Sequence, residues 1–242
     1  MSGNYSRKNG RNYNQLRPIN IELNIQDAPD ASLIWKQGET HVLIAVNLMR
    51  SVPGWLEGSE KGWITAEYQM LPGATLPRAQ RERKSISGRT QEIQRLIGRS
   101  LRAVFDLTSI QGMTIMVDCD VIKADGGTRT ASICGGFLAL SIASSRWLKE
   151  GLIESNPIKE RLAAVSLGKV NSSLLLDLDY TEDSSAEVDF NLVMTENRGI
   201  IELQSTSEGE PLPADQLEIA VELGMKGILE IIKSTSEFQL KR

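Results

Sequence analysis

The stretch DCDVIKADGGTRTA, residues Asp118–Ala131, decides the predicted fold because it joins a buried strand to a long apolar helix through a glycine turn. Its two adjacent glycines can adopt positive φ and allow another group to approach the backbone closely. Thr128 and Thr130 are candidate N-cap residues for a helix that continues to about Glu150. The stretch therefore predicts a strand, a tight turn and a helix in direct succession.

The start of this helix is a candidate anion site. A helix N-terminus presents unpaired N–H groups and a partial positive charge. Arg129 lies in that first turn, where the helix dipole disfavours a cation unless an anion faces it. Two interpretations stay open: a phosphate or carboxylate bound at Arg129, or an ordinary strand–turn–helix with a solvent-facing arginine.

The order of the predicted elements indicates an α/β (α+β) fold. Alternating apolar residues predict strands before and after the central stretch, and further helices are predicted at Thr90–Leu107 and Ala214–Lys233. Strands, helix, strand, helix, strands and helix in that order give a layered architecture. We predict a mobile polar tail over residues 1–13 and a single domain over residues 14–242.

Composition restricts the chemistry. The 242 residues are 40% hydrophobic, enough for a sizeable core, and no uninterrupted apolar run reaches the roughly 18–20 residues that cross a bilayer. A single histidine, His41, makes histidine-based acid–base catalysis and a histidine-rich metal site unexpected. Cys119 and Cys134 are expected as buried free thiols, which predicts a reducing, cytoplasmic compartment.

Charge is unevenly distributed along the chain. The net charge is −4, but the segment from Arg78 to Arg102 has eight basic and two acidic residues. Residues 171–197 have seven acidic residues and no lysine or arginine. A basic strip in an acidic protein is typical of a polyanion-binding surface. The alternative is that the two charged regions pair with each other.

The acidic region contains a candidate metal site. Asp183 and Asp189 are separated by a turn-like segment, and their hard oxygens, with no nearby cysteine or histidine, suit Mg²⁺ or Mn²⁺. Such a metal would polarise a phosphoryl oxygen. Asp177 and Asp179 alternate with leucines, so we expect them on a solvated strand face, and a solvated face is also the alternative for the first pair. The combined features favour phosphoryl chemistry on a nucleic acid, with either water or phosphate attacking.

Several runs of this sequence resemble the ribonuclease PH family of phosphate-dependent exoribonucleases. The likeness covers roughly residues 10–235. The matching runs are GWITAEY (Gly62–Tyr68), SGRTQEIQRLIGRSLRAV (Ser87–Val104), DCDVIKADGGTRTASI (Asp118–Ile133), EDSSAEVDFN (Glu182–Asn191) and EGEPL (Glu208–Leu212). The resemblance implies a duplicated βαβ core of the ribosomal-protein type.

The resemblance also implies roles for individual residues. Those that match the family's phosphate motifs are expected to bind inorganic phosphate: Arg89, Gly127, Thr128 and Arg129. Those that match its carboxylate motif are expected to hold Mg²⁺ (or Mn²⁺) or to act as acid and base: Asp183 and Asp189.

The implied reaction is phosphorolysis of RNA. Inorganic phosphate would attack the last phosphodiester of a tRNA precursor 3′ end and release a nucleoside 5′-diphosphate, and the reverse reaction would add nucleotides. The resemblance implies a homo-hexamer built as a trimer of dimers, with no membrane partner. Two alternatives remain: a non-catalytic RNA-binding ring subunit of an exosome-like assembly, and a hydrolytic two-metal nuclease that works without phosphate.

The sequence departs from the family in the basic loop. Gly73 follows the Met-Leu-Pro run where the family carries an arginine, and the loop before Ser87 is about two residues shorter. Ser205 stands where the family has glycine. In the family this loop grips the tRNA body, and here that role is expected of three arginines: Arg78, Arg81 and Arg83.

Overall fold

The computed structural model describes residues 6–240, with side chains up to Phe238. The first half of the chain forms a five-stranded sheet from β1 (Ile19–Leu23), β2 (Ala31–Gln37), β3 (Thr40–Met49), β4 (Trp63–Met70) and β5 (Thr114–Lys123). The strands lie in the order β1-β2-β3-β5-β4. All neighbours are antiparallel except β4 and β5, which run parallel. A parallel pair requires a crossover, and the helix between these two strands provides it.

The second half forms a four-stranded antiparallel sheet. Its strands are β6 (Leu162–Val170), β7 (Ser173–Leu176), β8 (Val188–Thr195) and β9 (Ile200–Ser207), in the order β7-β6-β8-β9. A single-turn helix follows β7, and a long C-terminal helix packs on β6 and β8. We number the four helices α1 (Gly88–Ala103), α2 (Thr128–Lys149), α3 (Tyr180–Asp183) and α4 (Ala214–Leu240). The predicted α/β (α+β) layer architecture is confirmed.

Helix α1 begins and ends earlier than the predicted Thr90–Leu107. The Ser87 side chain accepts a hydrogen bond from the Thr90 backbone N–H at 3.2 Å, so Ser87 is the N-cap. After Ala103 the chain leaves the helix, and Leu107–Ile110 forms a separate 3₁₀ turn. The apolar stripe continued beyond the true helix end, so the periodicity alone overestimated the length.

Helix α2 is the core helix between the two sheets and packs against β2, β3 and β6. A Cβ on Gly135 would lie 3.0 Å from Ile44 Cγ1 and 3.1 Å from Trp35 Cβ, so glycine permits the close helix–sheet contact. By length and composition alone, α2 could cross a membrane, although it is not an uninterrupted apolar run. However, 83% of its most apolar window is buried inside the protein, as in a core helix.

The predicted N-cap residues of α2 are wrong. The N-cap is Gly127, which has φ +63°, and both threonines lie inside the helix. Thr130 Oγ1 donates to the Gly127 carbonyl at 2.9 Å, and Thr128 Oγ1 lies 2.8 Å from Tyr68 Oη. The chain enters the helix in a left-handed conformation, which glycine adopts without the steric cost that a β-branched residue would meet.

A single large cluster of buried apolar residues connects both sheets with α1, α2 and α4. Strand β5 contributes every second residue to this cluster: Cys119 is buried in the core, whereas Asp118 and Asp120 on either side of it are only partly buried. Cys119 and Cys134 are buried and free, as predicted. Burial raises the pKa of the Cys134 thiol to about 12, so it stays protonated at neutral pH.

The N-terminal segment differs from the predicted mobile tail. Its first five residues lie outside the described residues, but the Arg7 side chain is fully buried. The Tyr13 carbonyl accepts a hydrogen bond from the Leu176 N–H at 2.7 Å. Asp177, expected on a solvated face, is buried and paired with Arg17 at 2.7 Å. These contacts attach the N-terminal segment to the second sheet.

Candidate active site

A cavity of about 760 Å³ lies where the glycine turn before α2 meets β8 and the start of α1. It contains every residue that the sequence analysis assigned to phosphate or to the paired carboxylates. These residues line its wall together: Arg89, Gly127, Thr128, Arg129, Asp183 and Asp189. Residues up to 100 positions apart in the chain therefore share one cleft.

Secondary structure fixes the direction from which each group enters the cavity. Arg89 and Arg129 are each the second residue of a long helix, so both come from first helical turns. Asp183 ends the single turn of α3, which a capping box between Asp179 and Glu182 stabilises. Asp189 is the second residue of β8. Cations and carboxylates thus enter from different elements of the fold.

The turn before α2 requires its glycines. Gly126 has φ +73°, and a Cβ there would lie 2.5 Å from the Leu178 carbonyl oxygen. Because a side chain at this position would meet backbone, the turn packs directly on the segment that leads to α3. This contact places the helix N-terminus next to the carboxylates.

The Thr128 hydroxyl is held by Tyr68. Their oxygens are 2.8 Å apart, and both residues are buried. Burial is the main cause that raises the pKa of Tyr68, so its phenol stays protonated. A hydroxyl has one donor and two acceptor positions, so Thr128 can accept from Tyr68 and still donate to a ligand in the cavity.

Only one nitrogen of the Arg129 guanidinium, Nη1, contacts other side chains in the described part of the chain. Its Nη1 lies 3.3 Å from Gln204 Oε1 and 3.7 Å from Glu92 Oε1, and Gln204 Nε2 in turn donates to Glu92 at 3.1 Å. A guanidinium carries five N–H donors, so most remain for a ligand. Arg89 has no ion pair or side-chain hydrogen bond within residues 6–240 and is exposed on the cavity wall. Arg129 therefore faces a carboxylate, one of the two anions that the sequence offered for it, and also lines the cleft.

The ionisation of Asp183 depends on its surroundings in the cavity. Burial raises the pKa of Asp183, and the charge of Asp189 raises it further, while Arg129 and Arg89 act in the opposite direction. Within residues 6–240 neither carboxylate has a cationic or hydrogen-bonding partner for its side chain. In the same range no group of three or more histidine, cysteine or acidic side chains is arranged to hold a metal. A pair of unpartnered carboxylates fits Mg²⁺, which takes one or two carboxylates and completes its shell with water and substrate phosphate.

The three arginines assigned to RNA are not part of the cavity. Arg78, Arg81 and Arg83 are exposed on the loop between β4 and α1, whereas their neighbours Leu76 and Pro77 line the cleft. The loop is attached to α1 because Glu82 accepts hydrogen bonds from Ser87 N and Thr90 Oγ1. The three basic side chains therefore do not line the cavity.

Sequence reasoning missed several cavity residues. Tyr180, Asn191 and Ser166 line the cleft, and the Ser166 Oγ is buried without a hydrogen-bond partner in the described part of the chain. Ser166 and Asn191 are polar positions within largely buried strands. A polar residue in such a strand was the available signal, because buried polar groups are uncommon without a partner or a ligand.

Comparison with known proteins shows the family to which the chain belongs. The model of the 3′ exoribonuclease family, domain 1, matches residues 15–145, and that of domain 2 matches residues 161–227. Ribonuclease PH of Bacillus subtilis (strain 168) is 49% identical over 234 residues, which cover 96% of each chain. Ribonuclease PH of Crocosphaera subtropica is 46% identical over 228 residues, which cover 94% of this chain and 95% of that protein.

Two solved structures share the fold at lower identity. Rice (Oryza sativa) Rrp46 superposes with a TM-score of 0.79 at 24% identity, over 96% of this chain and all of that one. A chain of the Archaeoglobus fulgidus exosome with RNA bound to the active site gives a TM-score of 0.81 at 19% identity, over 95% and 92%. The resemblance stated from the sequence is confirmed, and the chain belongs to the 3′ exoribonuclease family.

Proposed function

We propose that this cavity carries out phosphate-dependent 3′→5′ degradation of RNA, trimming extra nucleotides from tRNA precursor 3′ ends. The chain is a phosphorolytic exoribonuclease, as its full-length similarity to ribonuclease PH proteins indicates. The observation that carries the assignment of the site is the meeting of two arginines, a helix N-terminus and two carboxylates in one cleft. Bound phosphate and the RNA phosphodiester are both anions, and this arrangement supplies the charge that offsets their repulsion.

Inorganic phosphate binds between Arg89 and Arg129 at the start of α2. Two guanidinium groups can each bind an anion with two N–H donors. The N–H groups of Gly127 and Thr128 and the Thr128 hydroxyl add donors at the helix N-terminus. Holding the nucleophile in line with the scissile bond supplies most of the rate, because it replaces a bimolecular encounter between two anions.

The two carboxylates act on the scissile phosphodiester and on its leaving group, the 3′ oxygen. Asp183 and Asp189 would hold Mg²⁺ (or Mn²⁺), which when bound supplies positive charge to the phosphodiester and to the leaving oxygen. The bond between the terminal phosphorus and the 3′ oxygen of the preceding nucleotide breaks as phosphate forms its bond to that phosphorus. The 3′ oxygen must gain a proton, and Asp183 can donate one only when it is protonated and not holding the metal, so metal binding and proton donation are alternative roles for this carboxylate. The products are a nucleoside 5′-diphosphate and a shortened RNA.

The terminal base packs on the apolar wall of the cavity. Tyr180 is 59% exposed and Leu76 is 94% exposed, and both line the cleft alongside the arginines. Exposed apolar side chains inside a charged cleft suit the face of a nucleobase. The RNA body then passes Arg78, Arg81 and Arg83, which lie outside the cavity and contact its phosphates.

A homo-hexamer, built as a trimer of dimers in the cytoplasm, is the proposed working form. One structural neighbour is part of an exosome, a multi-subunit assembly. Light scattering tests the assembly directly, with an expected mass of six times the 26.7 kDa chain. A monomeric mass at working concentration would contradict it.

Reversal of the reaction tests the function. With Mg²⁺, a trimmed tRNA and a nucleoside diphosphate, the protein should lengthen the 3′ end and release inorganic phosphate. A hydrolytic nuclease cannot catalyse this extension, since its product is a monophosphate. A non-catalytic RNA-binding subunit would bind the tRNA and leave its length unchanged.

A further inference from the structure

The N-terminal strap, defined here as residues 6–17, contains three arginines with buried side chains beneath the active site: Arg7, Arg11 and Arg17. The side chain of Arg7 is fully buried and that of Arg17 is 4% exposed. Arginines are rarely buried unless they are paired. Arg7 forms a bidentate contact with Glu182 in α3. The Arg17 guanidinium donates two hydrogen bonds to Oδ1 of Asp177, which lies between β7 and α3.

Arg7 holds the turn that carries Asp183. Its Nε and Nη2 donate to the two oxygens of Glu182 at 2.8 and 2.6 Å, and its Nη1 donates to the Leu176 carbonyl at 2.8 Å. The same Glu182 carboxylate accepts the Asp179 N–H at 3.1 Å and closes the capping box of α3. Arg7 therefore fixes the orientation of the residue adjacent to Asp183.

Arg17 contacts both the segment that precedes α3 and the glycine turn before α2, which we call the phosphate turn. Its backbone N–H and its Nη2 donate to the two oxygens of Asp177 at 2.6 and 2.7 Å. Its Nη1 also donates to the Asp125 carbonyl, and its Nη2 lies 3.4 Å from the Gly126 carbonyl. Thr40 Oγ1 donates to that same Gly126 carbonyl at 2.6 Å. One guanidinium thus joins two backbone segments that line the cavity from different halves of the chain.

The backbone geometry shows that these contacts constrain the segment. Asp177 has φ +56°, a left-handed conformation that is uncommon outside glycine. Its N–H donates to the Ser166 carbonyl at 2.7 Å, and its carboxylate accepts hydrogen bonds from Arg17 and lies 3.6 Å from Arg11 Nη1. Arg17 also holds the pKa of Asp177 below its usual value against the opposing effect of burial, so the carboxylate remains ionised. The strained turn is therefore maintained by the strap.

We propose that Arg7 and Arg17 are positioning residues for phosphorolysis, and that the strap couples the phosphate site to the carboxylate pair. Arg17 sets the turn that presents Gly127 and Arg129 to phosphate. Arg7 sets the helical turn that presents Asp183. The proposal rests on the proposed function of the cleft and assigns separate kinetic effects to the two arginines.

The paired variant Arg7→Met/Glu182→Gln tests the first effect. Both charges of the pair are removed together, the buried Arg11 keeps its contact with Asp177 at 3.6 Å, and glutamine keeps an oxygen for the capping bond. We expect kcat to fall by about 10-fold or more, as for loss of a residue that orients a metal ligand. The Mg²⁺ concentration for half-maximal activity should rise by a similar factor, while KM for phosphate stays within about twofold.

Two single variants test the second effect. Arg17→Lys keeps a positive charge for Asp177 but loses the planar fork that also reaches the carbonyls. Thr40→Val keeps the side-chain shape and removes the hydroxyl bonded to Gly126. For both we expect KM for phosphate to rise by about 10-fold with little change in kcat. Calorimetric titration with inorganic phosphate should show the same weakening without turnover.

A matched control is available at the far end of the second sheet. Arg161 donates to Glu196 through Nε and Nη2 at 2.9 and 2.6 Å, where β6 begins and β8 ends. Arg161→Met/Glu196→Gln should leave kcat and both Michaelis constants unchanged per folded molecule. Equal losses in this control and in the strap variants would overturn the proposal.

A purely structural role gives a different result. The strap variants would then lower the melting temperature and the folded fraction, while kcat and KM per folded molecule stayed at wild-type values; this outcome overturns the positioning role. Failure of the wild-type protein to bind or require phosphate would instead contradict the proposed function. The two failures are therefore distinguishable in one set of measurements.

Discussion

The charge of Asp189 raises the pKa of Asp183 across the active-site cavity. Burial contributes more to the shift, and the two arginines of the cleft oppose it. The site therefore disfavours ionisation of Asp183, which is the behaviour expected of a partly buried carboxylate next to a second one.

Neutralising one carboxylate should change the titration of the other. In Asp189→Asn we expect the pKa of Asp183 to fall, because a repelling charge has been removed while the arginines remain. Carboxyl NMR titration without Mg²⁺ measures this shift. A rise in the pKa of Asp183 would contradict this account, because the charge of Asp189 could then not be a cause of the raised pKa.

Metal affinity should depend on pH in a defined direction. A carboxylate must be deprotonated to bind Mn²⁺ or Mg²⁺, and the pKa of Asp183 is raised. Affinity should therefore be full above that raised pKa and decline as pH falls through it, at a higher pH than for an ordinary aspartate. Mn²⁺ binding followed by electron paramagnetic resonance checks this, with Asp183→Asn as the variant in which binding is weak at every pH.

Arg89 and Arg129 should act on phosphate rather than on RNA. Replacing either with lysine keeps the charge but removes two-point binding, so KM for phosphate should rise by about 10–100-fold, a loss of about 1.5–3 kcal/mol for a charged hydrogen bond. Steady-state kinetics with phosphate as the varied substrate measure this change. Arg99→Lys is the matched control, since Arg99 lies on the same helix as Arg89 and pairs with Glu202 at 2.9 Å outside the cavity. An equal rise in that control would point to a general charge effect.

Tyr180 should affect RNA binding and leave phosphate binding unchanged. Stacking on an aromatic ring contributes about 1–3 kcal/mol per base, so Tyr180→Ala should raise KM for the tRNA substrate by about 10-fold. Tyr180→Phe keeps the ring and should resemble the wild type. Equal effects of the two substitutions would assign the contribution to the hydroxyl instead of the ring.

Gly126→Ala should disrupt the phosphate turn. The added Cβ would meet the Leu178 carbonyl oxygen at 2.5 Å in a left-handed conformation, so we expect a loss of stability of about 1–3 kcal/mol together with weaker phosphate binding. Chemical denaturation and phosphate titration measure the two effects. Gly73→Ala is the control, because nothing lies within 4 Å of its Cβ position, and its stability should stay within about 0.5 kcal/mol of the wild type.

The residues of the phosphate turn could be predicted because their signal is local. Gly126 to Arg129 lead directly from a strand into a helix, and the resemblance implied a phosphate-binding role for Gly127, Thr128 and Arg129. The start of α2 was misplaced, since its N-cap depends on the φ of Gly127 and not on which residues nearby favour capping. The local sequence therefore predicts the helix α2 correctly but misplaces its N-cap.

Contacts between distant parts of the chain could not be predicted in the same way. Arg7 and Glu182 are 175 positions apart, and a polar, glycine-containing N-terminus is typical of a mobile tail. Asp177 was expected in solvent because it alternates with leucines, but the partner that permits its burial is Arg17, 160 positions away. Pairing across such distances is a property of the folded molecule.

Identification of the released nucleotide tests the central claim most directly. The protein is incubated with Mg²⁺ and a tRNA that carries a short 3′ extension, with and without inorganic phosphate. We predict release of nucleoside 5′-diphosphates only when phosphate is present, with loss of that release in Arg129→Ala. Release of nucleoside monophosphates in the absence of phosphate would contradict the account, because water and not phosphate would then be the nucleophile.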